Sequence, residues 1–384
     1  RHLMAMRDIQ RADGRFTDVA PVGGGFGGTL WGSAGIVVPW EVYQQFGDLE
    51  VLREHYSAMQ SYVEFLNSKI DPETGILKEG PLGDWLSPEG FKNDDTMFWA
   101  TYHLHDLNIL MKTATLLGKN EDAEKYRKQY VDRKAFFNKT YIDPGTGKSL
   151  HLGNQSLRFG PRLSEDKLKK AGDFMDTQAS YAIPLQLNAF NQENKAKAIE
   201  HLEATIKRKN EDELGVLRPE YSLMTGFIGT ASLNLALSEN GMHELAYRLL
   251  QQTSYPSWLY SVKNGATTIW ERLNSYTVEE GFGGNNSMNS FNHYSFGAVA
   301  AWMYNYSLGI QRDPDHPGFK HFILQPTPDP DGEMTWAKGY YDSMYGRIQS
   351  EWQLKDNGWE YKTSVPANSS ATLLLKSTSL NNIT

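Results

Sequence analysis

Chemically capable side chains occur in loops that are rich in glycine and aromatic residues. The candidate site residues are Trp31, Asp84, Trp85, Trp270, Glu271, Arg272 and His293. A sugar ring has an apolar face that stacks on indole and an edge of hydroxyl groups that bonds to carboxylates, arginine and histidine. A carboxylate in such surroundings serves as an acid, a base or an anionic stabiliser. These residue types therefore indicate a carbohydrate site, of the kind that a glycosidase needs.

Each of these residues also has a purely structural interpretation. A Trp-Glu-Arg tripeptide is more often a surface ion pair than a catalytic base. Trp31 and Trp85 suit a hydrophobic core. Asp84 suits a helix cap or a turn, and His293 suits a hydrogen bond at a helix start. The pattern alone leaves these alternatives open.

Other kinds of site are not indicated. The chain has no cysteine, which excludes disulfides and cysteine-bound metals. Its 10 histidines show no HExxH or similar spacing. The glycine cluster at 23–28 lacks the lysine and hydroxyl residue of a phosphate loop. We therefore predict no metal and no cofactor.

The charge balance limits the partners. With 38 basic and 46 acidic side chains, the 384 residues carry a net charge of −8. This argues against nucleic acid or an anionic membrane surface as a partner. No apolar run is long enough to cross a bilayer.

Helical periodicity dominates the first three quarters of the chain. One apolar face recurs through Leu49, Leu52, Tyr56, Met59, Val63 and Leu66. Further helices are predicted near 95–117, from 120 onward, and near 177–190, 194–208, 226–238, 241–251 and 293–307. The loops between them are long and unequal, unlike those of a plain helical bundle. The pattern predicts a barrel or toroid of helical hairpins with a binding face made of loops.

The pattern changes near residue 310. Segment 312–330 is rich in proline and aspartate, which is typical of a boundary. Alternating residues then flank the turn signal at 356–358, and residues 371–375 read as a further strand. We predict a helical domain over 1–310 and a small antiparallel β-sandwich over 311–384.

Motifs in a consistent order make the chain resemble the catalytic domain of bacterial α-L-rhamnosidases, family 78 of the glycoside hydrolases. The matching segments are RADGRFTDVAP (11–21), WGSAGIVVPW (31–40), GDWL (83–86), DTQASYAIPL (176–185), TIWERLNSY (268–276), SFNHYSFGAV (290–299) and FKHFILQPTP (319–328). Several spaced motifs in order are far more specific than any one of them.

The resemblance implies a mainly α fold, an (α/α)6 barrel followed by a C-terminal β-sandwich. It implies that terminal α-L-rhamnose is hydrolysed from a rhamnose-containing glycoside or polysaccharide, with inversion at the anomeric carbon. By this likeness Glu271 is the general base, and Trp31 and Trp85 wall the rhamnose pocket. His293 binds a sugar hydroxyl, and Asp84 supports the neighbouring tryptophan.

Two features depart from the family pattern. The family usually carries an aspartate where this chain has Ser33. In the family the general acid lies in a motif of the form D-x-x-x-R-x-E-R-x-G-W-x-x-D, and no such string occurs between Arg1 and Thr384. Arg1 also stands inside a predicted helix, without a start methionine. We therefore expect a barrel that lacks its first helices, and a chain that lacks the general acid.

Other functions remain open at this stage. Another (α/α)6 glycosidase or a polysaccharide lyase is the alternative within enzymes, although a lyase acting on uronic acids favours a basic groove. A homologue that binds carbohydrate without cleaving it is the alternative outside enzymes. An unsaturated, ultraviolet-absorbing product would identify a lyase. Binding of rhamnose without hydrolysis would identify the binding protein.

The missing acid motif yields a first prediction. The 384 residues alone should hydrolyse p-nitrophenyl α-L-rhamnoside slowly or not at all, because a general acid contributes about 10²–10⁴-fold to such a rate. Release of p-nitrophenol measures this directly. Turnover at the rate of an intact glycosidase would contradict the prediction.

Overall fold

The computed structural model describes residues 1–25, 27–154, 168–278, 281–282 and 288–376. Contacts divide the chain into two compact units. The first comprises Arg1–Pro39 and Arg53–Gly297, and the second comprises Trp40–Leu52 and Ala298–Thr384. The second unit thus includes residues before 311, and the predicted boundary at 310 stays a prediction.

The described part of the chain is mainly helical. Its α-helices are α1 (His2–Asp8), α2 (Thr29–Gly32), α3 (Ala34–Phe46), α4 (Leu49–Ser68), α5 (Asp95–Leu116), α6 (Asn120–Thr140), α7 (Gln178–Gln186), α8 (Gln192–Lys207), α9 (Phe227–Glu239), α10 (His243–Gln251), α11 (Trp258–Lys263) and α12 (Val299–Trp302). No helix in the described residues is long and apolar enough to cross a membrane.

The first unit is built from helical hairpins. Consecutive helices pack in pairs, α5 on α6, α7 on α8 and α9 on α10, while α7 also contacts both α5 and α9. In α7 every residue from Gln178 to Leu185 is buried. By contrast, the buried residues of α6 are Tyr126, Phe137 and Asn138. Helices α5, α7 and α9 therefore form an inner layer, and α6, α8 and α10 an outer one.

Short polar caps fix where these helices begin. The Asp94 carboxylate accepts the Thr96 N–H at the start of α5, at 3.0 Å. Thr177 and Ser180 form a capping box at the start of α7. Asn191 accepts the Asn194 N–H at the start of α8. These bonds satisfy backbone donors that have no partner within the helix.

Most of the predicted helices are present, with differences at their ends. Helix α6 was predicted to begin with Asn120 as its cap, but Asn120 is its first helical residue, and Lys119 before it makes no side-chain capping bond. The helix expected over 293–307 is three pieces: a 3₁₀ turn Ser295–Ala298, then α12, then a π-helical turn Met303–Ser307. The Leu308 N–H reaches back to the Met303 carbonyl at 2.8 Å, which is the wider spacing of a π turn.

Parts of three predicted long loops lie outside the described residues. These parts are residue 26 of the loop at 18–32, residues 155–163 of the loop at 141–163, and residues 279–280 and 283–287 of the loop at 264–291. A two-stranded ladder, β1 (Asn210–Glu211) with β2 (Leu217–Arg218), lies within the loop that precedes α9.

The second unit carries two three-stranded sheets. The strands are β3 (Ile310–Arg312), β4 (His321–Leu324), β5 (Trp336–Ser343), β6 (Gly346–Lys355), β7 (Gly358–Ser364) and β8 (Ser370–Leu373). Strands β5, β6 and β7 form an antiparallel meander, and the predicted turn Asp356-Asn357 joins the last two. In the other sheet β3 pairs antiparallel with β4, and β4 pairs parallel with β8.

One apolar cluster joins the two sheets. It contains Ile310 of β3, Phe322 and Leu324 of β4, and Ile348 of β6. Ala337 of β5 also packs against this cluster. Burial of these side chains from both sheets is what holds a β-sandwich together. The predicted fold class, mainly helical and followed by a small β domain, is confirmed.

Two glycines in the second unit differ in how closely other atoms approach them. Gly309 and Gly332 both have positive φ, 75° and 74°. A Cβ on Gly309 would stand 2.1 Å from the Pro326 backbone nitrogen, whereas on Gly332 the nearest neighbour is a Leu354 methyl group at 3.7 Å. Both Gly→Ala changes carry the left-handed backbone cost of about 1–2 kcal/mol.

Gly309→Ala should therefore destabilise the chain more than Gly332→Ala, by at least about 1 kcal/mol, because only the first must displace backbone. Urea unfolding of the two variants gives the comparison. Equal decreases in the free energy of unfolding would show that the close contact between residues 309 and 326 does not limit the size of the side chain at 309.

Candidate active site

Two segments run side by side and place Glu271. The Glu271 N–H donates to the Ser290 carbonyl at 2.8 Å, and the Ser290 N–H donates to Glu271 Oε2 at 2.9 Å. The His293 N–H donates to the Ile269 carbonyl at 2.9 Å. The carboxylate is thus oriented by the backbone opposite it, while part of the side chain stays accessible. An oriented, accessible carboxylate is what a general base requires.

The two neighbours of Glu271 differ in their surroundings. Trp270 is buried, and its ring makes edge contacts with Phe291 at 5.4 Å and Tyr276 at 6.5 Å. This placement supports a packing role beneath Glu271, and the predicted contact with substrate stays a prediction. Arg272 is half-buried, and its guanidinium donates to Asn289 Oδ1 at 3.4 Å.

His293 lies against the start of α9. Its ring stacks on Phe227 with centroids 4.9 Å apart, and the Tyr294 ring also stacks on it with centroids 5.6 Å apart. The Ser295 N–H donates to His293 Nδ1 at 3.4 Å. When Nδ1 accepts this bond, Nε2 is the ring nitrogen that can donate, and the predicted bond to a sugar hydroxyl stays a prediction.

The carboxylate of Asp84 is buried and caps α9 from a distant loop. Its Oδ2 accepts the Gly226 N–H and its Oδ1 accepts the Gly229 N–H, both at 2.7 Å. Glycine is needed at both positions: a Cβ on Gly229 would stand 2.7 Å from Asp84 Oδ2, and one on Gly226 would stand 2.1 Å from the Trp85 carbonyl oxygen. Asp84 is therefore a positioning residue in this geometry.

The first turn of α9 connects the candidate residues. Gly226 and Gly229 bind Asp84, and the Phe227 N–H donates to the Trp85 carbonyl at 2.9 Å. Phe227 also stacks on His293. Residues 84–85 and residue 293, far apart in sequence, are thus both held by one helical turn.

Trp31 is anchored by the inner helices. It packs, half-buried, against a cluster of Leu30 in α2, Phe98 in α5, and Ala179 and Ile183 in α7. Ile228 of α9 packs against the same cluster. The first turn of α9, which contacts Trp85 and His293, therefore also packs through Ile228 against the cluster that supports Trp31.

Ser33, the departure from the family pattern, contacts a buried carboxyl group. The Ser33 hydroxyl donates to Asp106 Oδ2 at 2.6 Å, and both residues are buried. Burial raises the pKa of the Asp106 carboxyl well above its ordinary value. An aspartate at position 33 would place a second carboxyl group against the first, which is unfavourable when both are charged. Serine instead supplies a neutral donor at this position.

A cleft opens beside the Asp84 loop. Its cavity volume is about 80 Å³, below the range of sites that enclose a whole small molecule. Asp84, Trp85 and Arg272 line it among the predicted residues. Its other lining residues include Phe91, Glu213, Tyr255 and Asn274, which the sequence analysis did not identify. Arg218 lies over the Tyr255 ring at 4.6 Å and holds it, a contact that no sequence motif signals.

These features can be compared with known proteins. A family model described as the bacterial alpha-L-rhamnosidase 6 hairpin glycosidase domain matches residues 1–307. A second, described as the bacterial alpha-L-rhamnosidase C-terminal domain, matches residues 309–384. The helical hairpins and their loop site therefore define a six-hairpin glycosidase fold.

Individual relatives agree with these matches. An alpha-L-rhamnosidase of Streptomyces avermitilis is 33% identical over 372 residues, which are 96% of this chain and 32% of that protein. An alpha-L-rhamnosidase of Formosa agariphila is 30% identical over 377 residues, 96% of this chain and 36% of that protein. The chain belongs to the bacterial α-L-rhamnosidase family. It spans about a third of the length of these curated relatives.

Solved structures support the same fold. The crystal structure of the Streptomyces avermitilis enzyme complexed with L-rhamnose has a TM-score of 0.79 and 31% identity, covering 97% of this chain and 32% of that one. The alpha-L-rhamnosidase from Dictyoglumus thermophilum has a TM-score of 0.82 and 29% identity, covering 99% of this chain and 38% of that one.

The Asp84 contact predicts a pH dependence of stability. Burial raises the pKa of Asp84 to about 6, although the N–H groups of Gly229 and Gly226 favour its charged form. Since this exceeds the ordinary value of 3.8, folding favours the protonated acid. The associated stability is present below about pH 4 and is lost as the pH rises through about 6, a change of roughly 3 kcal/mol.

The free energy of unfolding of wild type minus that of Asp84→Asn should therefore fall between pH 4 and pH 7, as measured by urea denaturation. A surface control without a titrating group, Ser57→Ala on α4, should differ from wild type by one constant amount. A difference that grows with pH would instead show that the two N–H bonds outweigh burial.

Proposed function

We propose that this chain forms part of an inverting glycoside hydrolase that releases terminal α-L-rhamnose from glycosides or polysaccharides. The observation that carries the proposal is the carboxylate of Glu271, held by the Ser290 N–H at 2.9 Å where the backbones of 269–271 and 290–293 run side by side. Membership of the α-L-rhamnosidase family supports rhamnose as the sugar. The L-rhamnose bound to the Streptomyces avermitilis relative supports the same choice.

In the proposed step Glu271 removes a proton from a water molecule as that water attacks the anomeric carbon. The bond from that carbon to the leaving oxygen breaks, and the electron pair goes to the oxygen, which an acid protonates. Attack from the face opposite the leaving group inverts the anomeric centre. The base and the acid then stand ~6.5–9.5 Å apart, which leaves room for the water.

The remaining candidate residues bind the sugar. Trp31 and Trp85 offer indole faces to the apolar side of the ring, and His293 Nε2 donates to a hydroxyl group. Arg272 and the cleft around Tyr255 extend the polar surface beyond residues 84–85. Since the acid motif of the family is absent from the 384 residues, we propose that the acid is supplied by a group outside them.

A carbohydrate-binding protein without activity is the second candidate. The absence of the acid motif favours this second function for the isolated chain. The proposed pocket residues and the proposed base are present, whereas the general acid is not. The two functions differ in one outcome: both bind rhamnose, and only the hydrolase releases it.

Glu271→Gln tests the proposed base in a protein that carries this chain together with the acid. We expect kcat to fall by about 10²–10⁴-fold while affinity for L-rhamnose is retained, because glutamine keeps the shape and cannot take the proton. Calorimetry gives the affinity, and release of a nitrophenol gives kcat. Glu121→Gln on the exposed surface of α6 is the control and should leave both unchanged.

Two further readouts make this test specific. Azide needs no base, so it should restore turnover of an activated rhamnoside by Glu271→Gln and give the β-azide. In wild type, proton NMR should detect β-L-rhamnose as the first product. Retained hydrolysis in Glu271→Gln would remove this residue from the role, and α-L-rhamnose as the first product would exclude inversion.

A further inference from the structure

Three potential ligand side chains converge at the start of the second unit's sheet. Asp313 and His316 lie in the turn that follows β3, and His321 is the first residue of β4. One donor atom from each lies within 4.8 Å of the other two. Asp313 Oδ2 is 2.9 Å from His316 Nδ1 and 2.7 Å from His321 Nδ1.

The carboxylate at the centre of this cluster is fixed by its own turn. Asp313 Oδ1 accepts the Asp315 N–H at 3.0 Å, and the Asp313 carbonyl accepts the His316 N–H at 3.0 Å. Pro314 and Pro317 further restrict the backbone of the turn. Oδ2 is thereby directed at both imidazoles. Hydrogen bonds, first that from His316, hold the pKa of Asp313 below its ordinary value.

The His321 ring is held from behind. Its Nε2 lies 3.1 Å from the Thr372 hydroxyl, on the neighbouring strand β8. A metal-binding imidazole usually makes such a bond with its other nitrogen, which sets the ring's orientation and directs the free nitrogen at the ion. Here the directed nitrogen is Nδ1, the one that faces Asp313.

A purely structural role, in which the cluster links the turn to the sheet, does not explain the position of His316. The bond between Asp313 and His321 already makes that connection, and both of these side chains are largely covered, at 14% and 25% exposure. The His316 side chain is 62% exposed, yet its Nδ1 is aimed at the same oxygen. Its exposure gives an ion a path from solvent and leaves a coordination position for water.

We propose that Asp313, His316 and His321 bind a divalent zinc ion. Two imidazole nitrogens and one carboxylate oxygen are a donor set that zinc takes, with bonds of about 2.0–2.2 Å. Tetrahedral ligands on such an ion stand ~3.3 Å apart, so the cluster needs to open by about half an ångström. Imidazole donors favour zinc over magnesium or calcium, which prefer oxygen.

This site departs from the sequence prediction of no metal. The spacing Asp-x₂-His-x₄-His matches none of the common ligand patterns. The turn and the strand bring the three residues together. An imidazole that binds the ion through Nδ1 keeps its proton on Nε2.

Calorimetric titration of the untagged, metal-free chain with Zn²⁺ tests the site. Wild type should bind one ion per chain, and His316→Ala should bind at least about 10-fold more weakly because it removes a ligand. His2→Ala, an exposed histidine elsewhere, is the matched control and should bind as wild type does. Thr372→Val should weaken binding by about 10-fold through the orientation of His321.

Thermal melting separates ligand loss from misfolding. Without metal, His316→Ala should melt as wild type does, and Zn²⁺ should raise the melting temperature of wild type alone. Asp313→Asn serves as a second ligand variant. Absence of stoichiometric Zn²⁺ binding by wild type, or wild-type affinity in His316→Ala, would overturn the proposal.

Discussion

The candidate active site depends on a buried carboxylate that bonds to the first turn of a helix. Asp84 accepts N–H bonds from Gly226 and Gly229, both at 2.7 Å. Burial of a carboxyl group is costly unless donors satisfy it, and a helix start provides donors that have no other partner. The same turn bonds to the Trp85 carbonyl and stacks Phe227 on His293. One contact therefore sets the positions of residues that lie more than a hundred positions apart.

The inner helices make this contact possible. Helix α7 is buried along nearly its whole length and lies between α5 and α9, so the start of α9 is held by packing as well as by Asp84. Trp31 rests on side chains of α2, α5 and α7. Glu271 is held separately, by the backbone of the segment at residue 290. The candidate residues thus lie mainly in loops, and the packed helical hairpins determine where these loops come together.

The sequence predicted most of the helices and proposed the candidate residues, but it did not predict the contacts between them. Apolar periodicity indicated α4 closely, because burial on one face leaves a regular pattern. Ordered motifs pointed to Glu271, Trp85 and His293. The partners of Asp84 were not predictable, because the bonds join residues 142 and 145 positions apart and glycine N–H groups carry no signature. Tyr255 and Glu213 were not predicted, because they line the cleft only after folding and no sequence motif marks them.

The most direct test follows amide hydrogen exchange in the chain with and without the Asp84 carboxylate. If Asp84 anchors the site, Asp84→Asn should speed exchange in three separate segments, 83–86, 226–229 and 290–293, and leave the distant helix α6 unchanged. Faster exchange confined to residues 226–229 would contradict the account. It would show that Asp84 caps one helix and does not hold the candidate site together.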